Sequence, residues 1–418
     1  MNIMTRRLSA SLLPLAMILA LPGTAGAAPI LSLEDAVALA AKDQPVAGAF
    51  LAEARASEEA ATAARALPDP QVTAGIQNLP VTGNSALSPT RDEMTMYTIG
   101  VMREQVRRTQ RDAQAAQYRA EAGLRRAQAT AEERRIERDV TVAWINVVEA
   151  KAKQRLLDRL IADLGTGRQV IEAGIPTGSS SPALALEAQA EIALAEAQRA
   201  DAHGQEARAR GELSRWIGEA ATRPLPETIP ALAVPHVMTA GHLTDHPHVR
   251  MAQAEQQAAE RQIDVARAAR RPNLTWSVMY GYRPSYGDMV TAQVSIPLPI
   301  NRRKLQDRRI AEASARADGA RLRVEDAHRE LAGAYQVALA DYESADAQLR
   351  VVLDRAIPSL EASFQAAEAR YASGQGGLDV PLNIVERYVQ ATLQSVELQA
   401  KRARAAAELI YLSEGDVR

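Results

Sequence analysis

Four of the six histidines, His236, His242, His246 and His248, fall within thirteen residues. Neutral imidazole binds zinc and copper well, so this is the densest set of metal-capable side chains in the sequence. Pro247 splits the closest pair, and the stretch runs into an Asp-x-Pro that opens a helix. A polar linker accounts for the same residues. Met279 and Met289 offer soft sulfur, but both sit in alternating segments where strand packing uses them. There is no Cys, which excludes disulfides, thiolate metal sites, Cys nucleophiles and a lipidated N-terminal Cys. No Gly-rich phosphate loop, no H-E-x-x-H and no nucleophile elbow is present. The expectation is therefore no enzyme, no cofactor and no resident metal.

The elements must then explain the chain. Its 49 Lys+Arg against 51 Asp+Glu leave a formal charge of −2, with none of the basic excess of a dedicated nucleic-acid binder. Only 4% of the 418 residues are aromatic and Ala is abundant, a composition common in long packed helices. Residues 1–27 read as a secretory signal. Arg6 and Arg7 precede the apolar stretch Leu12 to Leu21, and Ala25-Gly26-Ala27 makes a small-x-small cleavage site. No later stretch approaches about 18 consecutive apolar residues. If the exported chain meets a membrane again, it must do so as β-strands.

The chain is written twice. Asp43-Gln44-Pro45 recurs as Asp245-His246-Pro247, and Pro70 as Pro272, at an offset of 202. Arg107-Arg108 recurs as Arg302-Arg303 at 195, and Leu157-Asp158-Arg159 as Leu353-Asp354-Arg355 at 196. The slip makes the segment after Pro70 seven residues longer than its partner. A duplicated fold follows. The first repeat is expected over 28–223, with a helix, strands 71–80 and 94–106, a long helix 107–173, a turn and a helix 182–217. A Pro-rich linker covers 224–236. The second repeat spans 237–418, with a helix, strands 273–283 and 287–300, a long helix 302–372, a turn and a helix 381–412.

Within each repeat the period changes. Leu274, Trp276, Val278, Tyr280 and Tyr282 alternate with Thr275, Ser277, Met279 and Gly281; Val72, Ala74 and Ile76 behave alike, as do Tyr97, Ile99 and Val101. Segments of about ten residues have the length of a tilted membrane-crossing strand. A soluble hairpin on helices shares the alternation. Trp276, Tyr280, Tyr282 and Tyr286, however, crowd four aromatics into eleven residues, as a membrane-interface girdle does. The long first helix of 67 residues would reach about 100 Å. Its apolar seam is Ile136, Val140, Ala143, Val147, Ala150, Gln154, Leu157, Ile161 and Leu164, at coiled-coil spacing. The second copy runs Ala313, Ala317, Ala320, Val324, Ala327, Leu331, Ala334, Ala338, with a stutter at Tyr342. On the returning helix the seam is placed at Leu186, Ala190, Ala193, Ala197, Ala200, Gly204 and Ala207.

The fold class is thus mainly α with a small membrane β part. Four strands cannot close a barrel, and open edges are not tolerated in lipid. Copies must assemble in a ring, and three copies supply twelve strands.

Here the residues reach a family. Leu33 to Ala40 followed by Asp-x-Pro, the run Ala63 to Pro70, the stretch Gly287 to Asn301 and Ala369-Arg370-Tyr371-x-x-Gly374 occur in order within the duplicated frame. The chain resembles the TolC-like outer-membrane efflux proteins, and within them the CzcC/CusC-type members of heavy-metal efflux systems. The resemblance implies a homotrimer with a twelve-stranded β-barrel in outer-membrane lipid and a coiled-coil helical tunnel in the periplasm. It implies two further partners, a periplasmic adaptor protein and an inner-membrane pump of the resistance-nodulation-division type. It also places the periplasmic gate and adaptor contact at the two helical turns, on Gly174, Thr177, Tyr371, Gly374 and Asp379. The turn after Gly374 departs from the family by lacking a basic residue. Competing readings are a conduit for drugs, dyes or secreted protein, and a periplasmic helical scaffold without a channel.

Overall fold

A computed structural model of the protein describes residues 29–42, 44–234, 245–284, 286–373 and 379–413. The expected signal, along with His236, His242 and Gly374, lies outside them. In chain order the elements are α1 (Leu33–Lys42), α2 (Pro45–Ala63), β1 (Gln71–Gln77), β2 (Met96–Gln105), α3 (Arg108–Gly174) and α4 (Pro182–Ile217). After a 3₁₀ turn at Gly218–Thr222 come α5 (Pro247–Ala268), β3 (Leu274–Tyr282), β4 (Met289–Ser295), α6 (Gln306–Val351), α7 (Ile357–Ala372) and α8 (Asp379–Ser413).

Proline sets most of the punctuation. Pro45 and Pro247 stand at the first positions of α2 and α5, where a missing N–H costs nothing. The Ala-rich helical stretch from Leu33 to about Leu67 is thus two helices, divided before Pro45. Pro358 acts differently. It interrupts what was expected as one helix over 302–372. In a regular α-helix its ring would strike the carbonyl four residues back. The chain widens into a π-turn over Val352–Ala356 and resumes as α7 without breaking. The extra step of four at Tyr342 is absorbed inside continuous helix, and the seam goes on through Ala345, Leu349 and Val352.

α3 is the spine, packing against α1, α2, α4, α5 and α8. Its buried positions near the sheet are Ala115, Ala122 and Ala129, one per heptad, facing Ala47, Ala54 and Ala61 of α2 at the same spacing. A methyl-sized seam lets helix axes approach closely. Farther along, larger residues take over. Ile136, Val140, Trp144, Val147 and Val148 form one cluster with Leu31, Leu213 and Ala403, and the Trp144 indole N–H donates to the Leu31 carbonyl at 3.1 Å. The Pro-rich connector at 224–234 is docked there. Leu225 is buried, and the Leu31 N–H donates to the Pro224 carbonyl at 2.8 Å.

On α4 the buried stripe is Ala188, Ala195, Ala202 and Ala209. This corrects the expected seam: Leu186, Ala190, Ala193, Ala197, Ala200, Gly204 and Ala207 are all exposed in the chain. Both stripes have heptad spacing, and in so Ala-rich a helix only the packing partner selects between them.

The four strands form one antiparallel sheet in the order β1-β2-β3-β4. β1 stops at Gln77 because Asn78 turns out with φ 59°. β4 stops at Ser295, opposite the second residue of β3, and beyond it Pro297 and Pro299 lack N–H donors. Among the described residues no helix is long and apolar enough to cross a membrane.

Candidate functional site

Two regions qualify: the sheet and the turn that ends the longest helix. The register gives the sheet two unlike faces, since residues directly opposite across a ladder point the same way. One face carries the rows Val72, Val101, Val278, Ala292 and Ala74, Ile99, Tyr280, Val290. The other carries Thr73, Gly100, Met279, Thr291 and Gly75, Thr98, Gly281, Met289. The first face is apolar and the second is small, polar or Met. Among the described residues nothing covers either edge: every residue of β1 and of β4 is exposed, with Val72 at 70% and Val290 at 71%.

Trp276, Tyr280 and Tyr282 share the apolar face, with Tyr97 opposite Tyr282. The register thus adds an aromatic, Tyr97, that sequence spacing had not grouped with them. Six residues separate Trp276 from Tyr282, about 20 Å along a strand. Tyr286 lies in the β3–β4 loop, with the Arg283 guanidinium 5.8 Å from its ring. Arg283 also donates to the Gly287 carbonyl at 2.6 Å and to the Glu93 carbonyl at 3.0 Å, tying the two hairpin loops together. The Tyr280 hydroxyl donates to Asp288.

The tip between α3 and α4 is built around Gly174. Its carbonyl accepts from the Thr177 hydroxyl at 2.9 Å, the Ser179 N–H at 3.1 Å and the Ser179 hydroxyl at 3.1 Å. A Cβ at Gly174 would lie 2.7 Å from the hydroxyl oxygens of Ser179 and Ser180, so any larger residue must displace those hydroxyls and the bonds they make. Gly178 supplies the positive φ, 73°, that reverses the chain. Ser181 then caps α4, accepting from the Leu184 N–H at 3.2 Å. Gly174 and Thr177 therefore meet in one hydrogen-bonded turn. Gly178 and the serines complete it, and the expected site set lacked them. At the other turn, Tyr371 is partly exposed near the end of α7, and Asp379 is the first residue of α8. Gly374 lies outside the described residues.

Above the tip, Leu160, Leu164, Glu187, Glu191, Glu386 and Arg387 line a groove between α3, α4 and α8. Burial, with Glu386 and Glu187 nearby, raises the Glu191 carboxyl above the ordinary range. Farther up, charged groups cross the bundle in pairs. Lys153 contacts Glu397 at 2.7 Å and Glu149 at 3.0 Å, and Arg404 contacts Glu149 at 2.6 Å. Burial opposes the Lys153 charge, but the two carboxylates outweigh it and its pKa rises. Burial likewise works against the charge on Glu206, yet Arg210 at 2.8 Å and Gln154 at 2.9 Å hold its carboxyl below the usual value.

His246 has both ring nitrogens committed. Nδ1 accepts the His248 N–H at 3.2 Å as the cap of α5, so Nε2 carries the proton and donates to the Tyr411 carbonyl at 3.1 Å. The ring is 2% exposed and meets Tyr411 edge to face at 5.1 Å; burial lowers its pKa. His248 faces Glu330 at 3.6 Å. These two histidines serve the start of a helix.

Residues 242–413 match the family model described as outer membrane efflux protein. No curated protein matches the chain. Solved structures do. The outer membrane protein VceC from Vibrio cholerae aligns at 18% identity and TM-score 0.75, over 91% of this chain and 95% of its own. CusC, described in terms of transmembrane channel formation, aligns at 18% and 0.74, over 92% of each. The Campylobacter jejuni CmeC outer membrane channel aligns at 13% and 0.77, over 92% of this chain and 85% of its own. The second half of the chain thus matches the outer membrane efflux protein family model, and more than nine-tenths of its length shares the fold of these outer membrane channels.

Proposed function

We propose that the chain is the outer-membrane channel of a tripartite efflux system, a passive conduit working as a homotrimer. The observation that carries this is the bare, two-faced sheet. A four-stranded sheet with an apolar face, a polar face and two open edges satisfies its backbone in lipid only by closing with other copies. Three copies supply twelve strands, with the apolar rows outward and the Thr-, Gly- and Met-rich rows lining water. Trp276, Tyr280, Tyr282 and Tyr286 then stand as aromatics of the membrane interface. The exposed stripe Leu186, Ala190, Ala193, Ala197, Ala200, Gly204 and Ala207 supports the same reading, because it is a second heptad seam left exposed by the described residues.

The turns are proposed as the periplasmic gate and the contact for an adaptor protein, on Gly174, Thr177, Tyr371, Gly374 and Asp379. An inner-membrane pump of the resistance-nodulation-division type would supply the work. The cargo class proposed is heavy-metal cations, on the sequence resemblance to the CzcC/CusC branch; solved structures of several channels align equally well, so the fold does not choose the cargo.

Two measurements test this. Purified protein run unheated in SDS should migrate as a trimer and collapse to 45.1 kDa or below on boiling; a monomer in both lanes excludes the trimeric channel. A deletion strain should lose growth on zinc, cobalt, cadmium, nickel, copper or silver and recover with the intact gene. Sensitivity to dyes and antibiotics alone would keep the channel and move its cargo to the multidrug class.

A further inference from the structure

The duplication that built the chain also specifies how its two open sheet edges meet. The repeat offsets, 202 for β1 onto β3 and 195 for β2 onto β4, come from Pro70/Pro272 and Arg107/Arg302. The sheet obeys them independently. Ala74 opposite Ile99 in the first hairpin becomes Trp276 opposite Val294 in the second, and Gly75 opposite Thr98 becomes Ser277 opposite Gln293. The two hairpins are therefore copies in register as well as in sequence. Only one ladder has no counterpart inside the chain: β2–β3, which joins the first hairpin to the second. Its counterpart must join β4 to the β1 of another copy.

We infer that β4 and the residues after it pair with β1 of the next copy in the register carried over from β2–β3. Val101 opposite Val278 becomes Ile296 opposite Ile76 of the next copy. Arg103 opposite Trp276 becomes Leu298 opposite Ala74, and Gln105 opposite Leu274 becomes Ile300 opposite Val72. This inference rests on the oligomeric reading above and adds its contact geometry.

Three observations agree with this register. The stretch 296–300 is strongly exposed and apolar, with Ile296 54%, Leu298 78% and Ile300 86% exposed, and the inferred register sets it against Ile76, 50% exposed, and Val72, 70% exposed. Val72, Ala74 and Ile76 lie on the apolar face, and Ile296 continues the alternation of β4 onto it, whereas a slip by one would turn it toward the polar face. At the end of the stretch the Ile300 N–H turns back onto the Leu298 carbonyl at 2.9 Å, a bond that the pairing at 298 and 300 must replace. Pro297 and Pro299 remove N–H groups from one edge only, because successive N–H groups in a strand point to opposite edges. The edge left intact can serve β1, while the β3–β4 ladder has already ended. Finally, the β2–β3 ladder closes on a latch. Arg107 donates through Nε to the Pro272 carbonyl at 2.9 Å, and its N–H donates to the Asn273 side chain at 3.1 Å. Under the same offsets this latch becomes Arg302 on the Pro70 carbonyl of the next copy, with Gln71 in the place of Asn273.

The natural chain has no Cys, so engineered pairs report cleanly. Ile296→Cys is combined in turn with Ile76→Cys, Ala74→Cys and Val72→Cys in the full-length chain, and membranes are treated with a short thiol-to-thiol cross-linker. The expected result is maximal covalent dimer and trimer for 296 with 76, falling at least tenfold for 296 with 72. Leu298→Cys should in turn prefer Ala74→Cys. Co-expressing the two single-Cys chains should give the same dimer, which shows that the bond is between copies. A maximum at another position, or no cross-link while the unheated trimer persists, overturns the register. Absence of the trimer in the unsubstituted protein overturns the oligomeric reading instead.

Discussion

The middle of the helical body and the strand sheet use apolar residues in opposite ways. Around Trp144 the chain completes its own core: Ile136, Val140, Ile145, Val147, Val148 and Leu213 are all 2% exposed or less. In the sheet, Val72, Ile99, Val278, Val290 and Val294 share one face and remain between 46% and 71% exposed. Burying a side chain of this size is worth about 1.5–3 kcal/mol. The body collects that energy within one chain, while the sheet does not collect it from the described residues and, in the proposed channel, collects it from lipid and from other copies. The helical body should therefore tolerate separation into monomers better than the sheet does.

The largest effect expected is in the body. Trp144→Ala removes a fully buried ring and orphans the Leu31 carbonyl, and should destabilise the protein by about 3–5 kcal/mol. Thermal loss of helical circular dichroism in detergent measures it; a near-neutral result would mean that the body does not carry its own stability. In the sheet, Val278→Arg should cost about 2–4 kcal/mol of barrel stability in lipid, read as loss of unheated trimer, with little change in the melting of the helical part. Equal damage to both regions would erase the contrast between them.

The two stripes of α4 sharpen the comparison within one element. Ala195→Leu overpacks the buried seam against Leu157 and Leu160 and should cost about 1–3 kcal/mol. Ala197→Leu, two residues away, should leave monomer melting unchanged and lower the temperature at which the trimer dissociates. At the tip, Ser181→Ala removes the cap of α4 and should cost about 0.5–2 kcal/mol, detectable as faster amide exchange confined to the start of that helix.

The smallest effect is pH-dependent. His246 is held neutral by burial, so its folded pKa lies below the ordinary value of about 6.5. The unfolded chain takes up the proton first, and stability falls as pH drops below about 6.5. His246→Asn keeps a cap acceptor and should flatten the melting midpoint between about pH 5 and 7. Glu206, with its lowered carboxyl pKa, adds a separate loss only below about pH 4.

Much of this was legible before any coordinates. Alternation in Leu274 to Tyr282 names a two-faced strand, because side chains on a strand project with period two whatever surrounds them. The heptads of α3 name its buried face because Ile, Val and Leu break the tie among the alanines. On α4 that tie is unbroken. Two alanine stripes with the same spacing look alike, and the stripe chosen from sequence is the one left exposed. The His246 environment was equally hidden, since its partner Tyr411 lies 165 residues away. The tip glycine was visible as a helix breaker, but the serine hydroxyls that crowd Gly174 come into contact only once the chain has turned.

What the sequence by itself determined was everything local or repeated: strand periodicity, proline boundaries, the length of α3 and the duplication with its offsets. These depend on backbone sterics and on side-chain chemistry within a few residues, or on direct self-similarity. Tertiary structure alone decided which alanine stripe is buried, that Pro358 widens a helix instead of ending it, and that β2 pairs with β3 while β1 and β4 stay open. Those outcomes turn on which distant surfaces meet, and burial energy is a property of the pair of surfaces rather than of either one.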